Sequence, residues 1–261
     1  MTAPESVCSA EDRLRPIETV LMQTSHPGNI GSTARALKTM GLSRLCLVDP
    51  LRFPDPEATA LASGAEDLLD QARVVATLPE ALAQARLVFG SSDRRRGIRM
   101  LEIGPREFAR LALDAAAVGP VAVLYGTERT GLTNEELELC QYLVTIPANA
   151  EYSSLNLASA VQVLSYELRQ EALSRVMTAP DPDAHVPAPN EQLERYFAHL
   201  DETLELIGFF GDRVSVKIMR RLRRLYQRAM PDERELQILR GILTETAIAV
   251  RGRQPRKRAD G

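Results

Sequence analysis

Two kinds of hydrophobic patterning divide this chain, and the change between them limits what it can fold into. From Ile17 to about residue 175, short apolar runs alternate with helix-length amphipathic stretches. The runs are Ile17–Thr24, Arg44–Val48, Arg73–Thr77, Leu87–Gly90, Val121–Tyr125 and Leu143–Ile146. They are rich in Val, Leu and Ile and bounded by Gly, Pro, Asp or Ser, as buried parallel strands are. Between them Ile30–Met40, Pro56–Leu69, Pro79–Ala85, Pro105–Ala117 and Asn134–Gln141 read as helices. This alternation predicts an α/β fold: right-handed βαβ units around a parallel sheet covered on both faces.

The pattern breaks at Thr178–Asn190, where Pro180, Pro182, Pro187 and Pro189 favour an extended linker. Beyond it the spacing is wholly helical. Leu193, Phe197, Leu200, Leu204 and Ile207 form one apolar stripe, Ile218, Leu222 and Leu225 a second, and Leu236, Leu239 and Leu243 a third. The expected organisation is a flexible N-terminus (1–15), an α/β domain (16–177), the linker (178–190), a small helical extension (191–250) and a disordered basic tail (251–261).

Composition excludes some classes and then qualifies itself. With 44% hydrophobic and 26% charged residues and a net charge of −3, the chain is neither disordered nor polycationic as a whole. Yet residues 1–212 carry 18 basic against 30 acidic side chains, and residues 213–261 carry 14 against 5. An acidic body with a basic end points to an anionic partner. Cys8, Cys46 and Cys140 are too few and too scattered for a disulfide framework or a thiolate metal site. His26, His185 and His199 lack ligand spacing, so no metal is expected. The polar start has no signal-like apolar core, and no apolar run reaches membrane length, so the chain is expected to be cytoplasmic and to have no membrane partner.

In an open parallel sheet, ligands gather beyond the carboxyl ends of the strands. Four loops there are unusually rich. Ser25-His26-Pro27-Gly28-Asn29-Ile30-Gly31 follows the first strand and leads to Arg35; it is neither a Walker A loop nor GxGxxG. Asn29 and Arg35 lie slightly under two turns apart, so a helix starting at Asn29 is expected to bring them to similar sides. A capping asparagine and a solvated arginine would leave the same trace. Ser91-Ser92-Asp93-Arg94-Arg95-Arg96 follows the fourth strand, with guanidinium groups suited to phosphates. Gly126-Thr127-Glu128-Arg129-Thr130-Gly131 allows close backbone approach. Ser153, Ser154 and Asn156 crowd the start of one last helix with more polar groups than a single cap needs.

Taken together these segments resemble the TrmJ family of the SPOUT superfamily of RNA methyltransferases. The resemblance rests on His26-Pro27-Gly28-Asn29-Ile30-Gly31 with Ala34-Arg35, on Tyr125-Gly126-Thr127-Glu128 with Gly131-Leu132-Thr133-Asn134-Glu135-Glu136-Leu137, and on Glu151-Tyr152-Ser153-Ser154-Leu155-Asn156-Leu157-Ala158. Arg221-Leu222-Arg223-Arg224-Leu225 and Leu236–Leu243 resemble that family's helical extension. The resemblance implies a trefoil knot at the carboxyl end of the sheet, a homodimer, and S-adenosylmethionine held by Ser91, Ser92, Asp93, Gly126, Thr127, Glu128, Ile146, Ser154, Leu155 and Asn156. It further implies methylation of the ribose 2′-hydroxyl of cytidine or uridine 32 in the tRNA anticodon loop. Arg35 would be catalytic with support from Asn29. Asp93 stands where a small residue is usual, and Tyr125 replaces a more usual Phe.

The helical extension carries its own signal. Lys217, Arg220, Arg221, Arg224 and Arg228 share one helix face. With Arg94, Arg95 and Arg96 they are the expected contacts to substrate RNA. Two alternatives are a SPOUT enzyme acting on ribosomal RNA or another tRNA position, and a non-catalytic RNA-binding protein of the same fold.

Overall fold

A computed structural model describes residues 9–92, 100–149, 151, 154–175, 185–211 and 214–253. The chain divides into two compact units between Val186 and Pro187. The first unit is a seven-stranded sheet in the order β3-β2-β1-β6-β4-β7-β5, every described pair parallel. Its strands are β1 (Ile17–Met22), β2 (Arg44–Val48), β3 (Arg73–Val75), β4 (Leu87–Ser91), β5 (Leu101–Ile103), β6 (Val121–Tyr125) and β7 (Tyr142–Val144).

Helices cover both faces, as strands apolar on both sides require. Phe108 of α6 (Pro105–Ala116) meets Phe89 of β4 edge-on, with ring centroids 4.9 Å apart. Leu78 and Leu82 of α5 (Leu78–Leu82) and Leu137 of α7 (Asn134–Leu137) pack with Val20, Val88 and Leu124 in another core cluster. Two helices carry the site: α2 (Pro27–Met40), entered from β1, and α8 (Leu157–Ser174), entered from the segment after β7. Helix α2 packs at backbone distance on α3 (Pro56–Ala62): a Cβ on Gly31 would stand 2.1 Å from the Ala58 carbonyl oxygen.

Several elements differ from expectation. The N-terminal segment contains a helix, α1 (Ala10–Leu14), closed by a Ser9–Asp12 capping box and anchored by the fully buried Leu14. The helix expected over Pro56–Leu69 is two, α3 and α4 (Glu66–Asp70), because Ser63 and Gly64 turn to φ 47° and 91°. Strand β5 was not foreseen. It has only three residues and pairs with β7 at the sheet edge.

The second unit holds α9 (Asn190–Leu206), α10 (Ser215–Ala229) and α11 (Glu233–Arg253). Leu193, Tyr196, Phe197 and Leu200 of α9 form its core with Leu236 and Leu243 of α11. Helix α10 packs through Met219, Leu222 and Tyr226 rather than through the expected Ile218, Leu222 and Leu225; Leu225 is 51% exposed. Ile207 ends α9 exposed instead of closing its buried stripe. Arg251–Arg253, expected to be disordered, are the last residues of α11.

Candidate functional site

The register of the sheet gathers the loops. Leu21, Tyr125, Ser91 and Val144 lie in one row across β1, β6, β4 and β7. Four adjacent parallel strands therefore release the chain at about the same level and on the same side. Beyond that row lies a cavity of about 420 Å³, within the usual size range for a small-molecule site.

Most of the residues singled out in the sequence meet there. Ser91, Ser92, Gly126, Thr127, Glu128, Ile146, Ser154, Leu155 and Asn156 line the cavity together with Asn29. Asp93, Arg94, Arg95 and Arg96 lie outside the described residues. Arg35 is exposed and does not line the cavity. The expectation that it shares a side with Asn29 fails on helix geometry. At about 100° per residue, six positions leave the two roughly 120° apart around the axis and about 9 Å apart along it. Among the described residues nothing pairs with its guanidinium group.

The loops are locked by a polar network. The Glu128 carboxylate accepts the Ser25 N–H (3.1 Å) and hydroxyl (3.0 Å) on Oε2, and the His26 N–H (3.2 Å) and Asn29 amide (3.0 Å) on Oε1. The Asn29 Oδ1 in turn accepts the Asn156 amide at 2.9 Å. Asn156 is also the N-cap of α8, its Oδ1 accepting the Ala158 N–H at 2.9 Å and the Ser159 N–H at 3.4 Å. One chain of bonds thus ties the loop after β6, the start of α2 and the start of α8. Burial pushes the Glu128 pKa up. The Asn29 amide and the N–H groups of Glu128, Ser25 and His26 outweigh it and hold the carboxyl below the usual glutamate range.

Backbone shape is fixed as firmly. The loop after β6 folds back on itself through a Thr127–Gly131 bridge, with Gly131 at φ 64°. A Cβ on Gly126 would stand 2.2 Å from the Gly131 carbonyl carbon and 2.3 Å from the Leu132 nitrogen. Only glycine fits, and it leaves bare backbone facing the cavity. Ile146, Leu155 and Leu157 add apolar wall, while Ser91, Ser92, Thr127 and Ser154 add hydroxyls.

These arrangements match known proteins over nearly the whole chain. The profile of the SpoU rRNA Methylase family matches residues 16–166, and that of the C-terminal domain of tRNA methyltransferase TrmJ matches residues 191–257. A tRNA (cytidine/uridine-2′-O-)-methyltransferase TrmJ from Yersinia enterocolitica is 48% identical over 251 residues, spanning 95% of this chain and 97% of its own. This chain belongs to the TrmJ family. The crystal structure of TrmJ from Z. mobilis ZM4 superposes with a TM-score of 0.77 at 35% identity, covering 87% of this chain and 97% of that one. The SpoU methyltransferase AviRb from Streptomyces viridochromogenes, solved in complex with the cofactor AdoMet, gives a TM-score of 0.50 at 25% identity, with 67% of each chain covered.

Within this TrmJ-family fold the cavity also uses residues to which the sequence reading gave no role there. His26, Tyr125, Leu157 and Ala160 line it. His26 and Tyr125 were visible only as motif letters; that each occupies a cavity wall follows from the shared row of strand ends.

In the second unit, Lys217, Arg221 and Arg228 of α10 are exposed and Arg220 and Arg224 half-buried. The Arg224 Nε donates to the Arg220 carbonyl at 3.2 Å. Arg223, outside the expected face, is used internally. It binds Glu194, with one N–O distance of 2.8 Å, and covers the Phe197 ring at 4.4 Å. Among the described residues no group of three or more His, Cys, Asp and Glu side chains could hold a metal ion, and no helix is long and apolar enough to cross a membrane.

Proposed function

We propose that this chain is an S-adenosylmethionine-dependent tRNA ribose 2′-O-methyltransferase acting on cytidine or uridine 32 of the anticodon loop, as a cytoplasmic homodimer. The observation that carries the reading is the cavity itself, whose wall brings together loops from four neighbouring strands and whose backbone is bare at Gly126. Its size and mixed apolar and hydroxyl lining fit a nucleoside bearing an amino-acid arm. The holding residues would be Ser91, Ser92, Asp93, Gly126, Thr127, Ile146, Ser154, Leu155 and Asn156. The path of the chain through the loops after β6 and β7 would be the trefoil knot of the SPOUT fold. When bound, S-adenosylmethionine supplies an electrophilic methyl group on a sulfonium.

The protein's part is to orient and to exclude water. Both Glu128 oxygens are engaged by Ser25, His26 and Asn29. Glu128 therefore acts as a positioning residue that sets Asn29. Arg35, which does not line its own cavity and has no partner among the described residues, would serve the cavity of the second protomer, holding the ribose oxygen and stabilising its developing charge. An arginine, always protonated in proteins, is a poor base. The basic face of α10, with Arg94, Arg95 and Arg96, would hold tRNA phosphates.

The test is nucleoside mapping of unmodified tRNA incubated with the protein and labelled S-adenosylmethionine. A 2′-O-methyl group at nucleotide 32 is expected. Label at another tRNA position, or only in ribosomal RNA, would replace the substrate assignment, and no transfer at all would remove the enzyme reading.

A further inference from the structure

Methylating a ribose hydroxyl releases a proton, and an always-charged arginine does not take it. Among the described residues three titratable side chains line the cavity: His26, Tyr125 and Glu128. Tyr125 is fully buried, and burial drives its pKa far up, so its phenol stays protonated. Glu128 has each carboxylate oxygen engaged by two donors, and those donors make it a weak base.

His26 is placed differently. Its backbone is held at both ends, the N–H by Glu128 and the C=O by the Asn29 N–H at 3.0 Å. The residue is exposed, its ring makes no capping bond to α2, and it lines the cavity together with Asn29. A fixed backbone carrying an uncommitted ring suits a group that must accept a proton and then lose it to water. Imidazole is also the side chain that ordinarily exchanges protons near neutrality. Two carboxylates flank the turn. Glu128 lies under the His26 N–H, and Glu57 of α3 would stand 2.9 Å from a Cβ on Gly28.

Resting on the methyltransferase reading, we propose that His26 is the catalytic base that removes the 2′-hydroxyl proton. The O–H bond breaks toward the imidazole nitrogen as the oxygen–methyl bond forms. The carbon–sulfur bond breaks with its electron pair staying on sulfur, which leaves as a neutral thioether. The positive charge of the sulfonium thus ends on His26, which is open to solvent and passes the proton on.

His26→Gln and His26→Ala, in the full-length protein, test this. Methyl transfer should fall by about 10²- to 10⁴-fold, and the neutral-pH limb of kcat/KM should disappear. Added imidazole should restore part of the rate to His26→Ala. Calorimetric binding of S-adenosylhomocysteine and filter binding of tRNA should be unchanged. An NMR titration of the His26 ring in the free wild-type protein should share its midpoint with the kinetic limb. A His26→Gln rate and pH profile like wild type would overturn the proposal, as would a loss explained by weaker S-adenosylhomocysteine binding. A wild-type protein that methylates no RNA sinks the enclosing reading and this one with it; an active wild type beside an equally active variant sinks this one alone.

Discussion

The two units use polar side chains in opposite ways. Around the cavity, Glu128, Asn29 and Asn156 are joined to each other and to loop backbone, so the groups that fix geometry are satisfied within the protein. On α10, Lys217, Arg221 and Arg228 stand out in water, while Arg223, the guanidinium next to that face, is tied to Glu194. A small-molecule pocket needs atoms held to within fractions of an ångström. A polyanion needs only charge at the right density, which long flexible cations provide at little structural cost. Arg35 breaks the contrast, being a cation on the precise unit with no partner among the described residues, and it is therefore where the two functions should meet.

Four measurements would break or sharpen that comparison. Arg35→Ala should cost the most, lowering kcat by about 10²- to 10³-fold, the usual effect of removing one stabiliser of developing charge. Calorimetric cofactor affinity should stay unchanged because Arg35 lies off its own cavity wall; a large loss would return it to the cofactor site. Gly126→Ala should come next. Forcing a methyl group into the Gly131–Leu132 backbone typically costs 1–3 kcal/mol or more, so S-adenosylhomocysteine should bind about 5- to 150-fold more weakly, with far-UV circular dichroism retained. Unchanged affinity would show that this loop is softer than its packing implies.

The combined change of Lys217, Arg221 and Arg228 to Ala should weaken tRNA binding by a smaller factor. It should also flatten the salt dependence, by roughly 0.7–0.9 in logarithmic slope for each phosphate that the helix no longer neutralises. Cofactor binding should not respond; if it does, the units are not separate in function. The smallest effect is expected at Glu128. A carboxyl whose folded-state pKa is depressed stabilises above its unfolded value and loses that contribution as the pH falls through the folded one. Glu128→Gln should therefore lower Tm at neutral pH by about 2–4 °C, a modest figure because the carboxylate is partly hydrated. The difference should vanish at acid pH, and one that persists there would assign the loss to shape rather than charge.

The sheet was legible because buried parallel strands must be apolar on both faces, and Leu45–Val48 of β2, Leu87–Phe89 of β4 and Val121–Leu124 of β6 are unbroken apolar stretches. That the rich loops share one cavity was legible for a related reason: parallel strands send all their carboxyl ends to the same side. Strand β5 left no trace, since Leu101-Glu102-Ile103 is too short to show a period. The buried Leu14 was hidden in a polar, acidic leader. The bonds of Glu128 were illegible for a deeper reason. They reach back about a hundred residues to Ser25, His26 and Asn29, and a long-range polar contact imposes no spacing on either partner. The side of Arg35 was misread because six residues on a helix are less than two turns. A helical period likewise cannot tell Leu225 from Tyr226 at a packing boundary; α9 and α11 decide it.

Asn156 has a consequence in time. It both caps α8 and orients Asn29, which lies 127 residues earlier in the chain. A ribosome emits Asn29 long before Asn156, so the nascent protein passes through a period in which the sheet can form but the asparagine is unset. The setting of Asn29 therefore waits for the start of α8, and the order of synthesis makes that bond one of the latest in the unit to become possible.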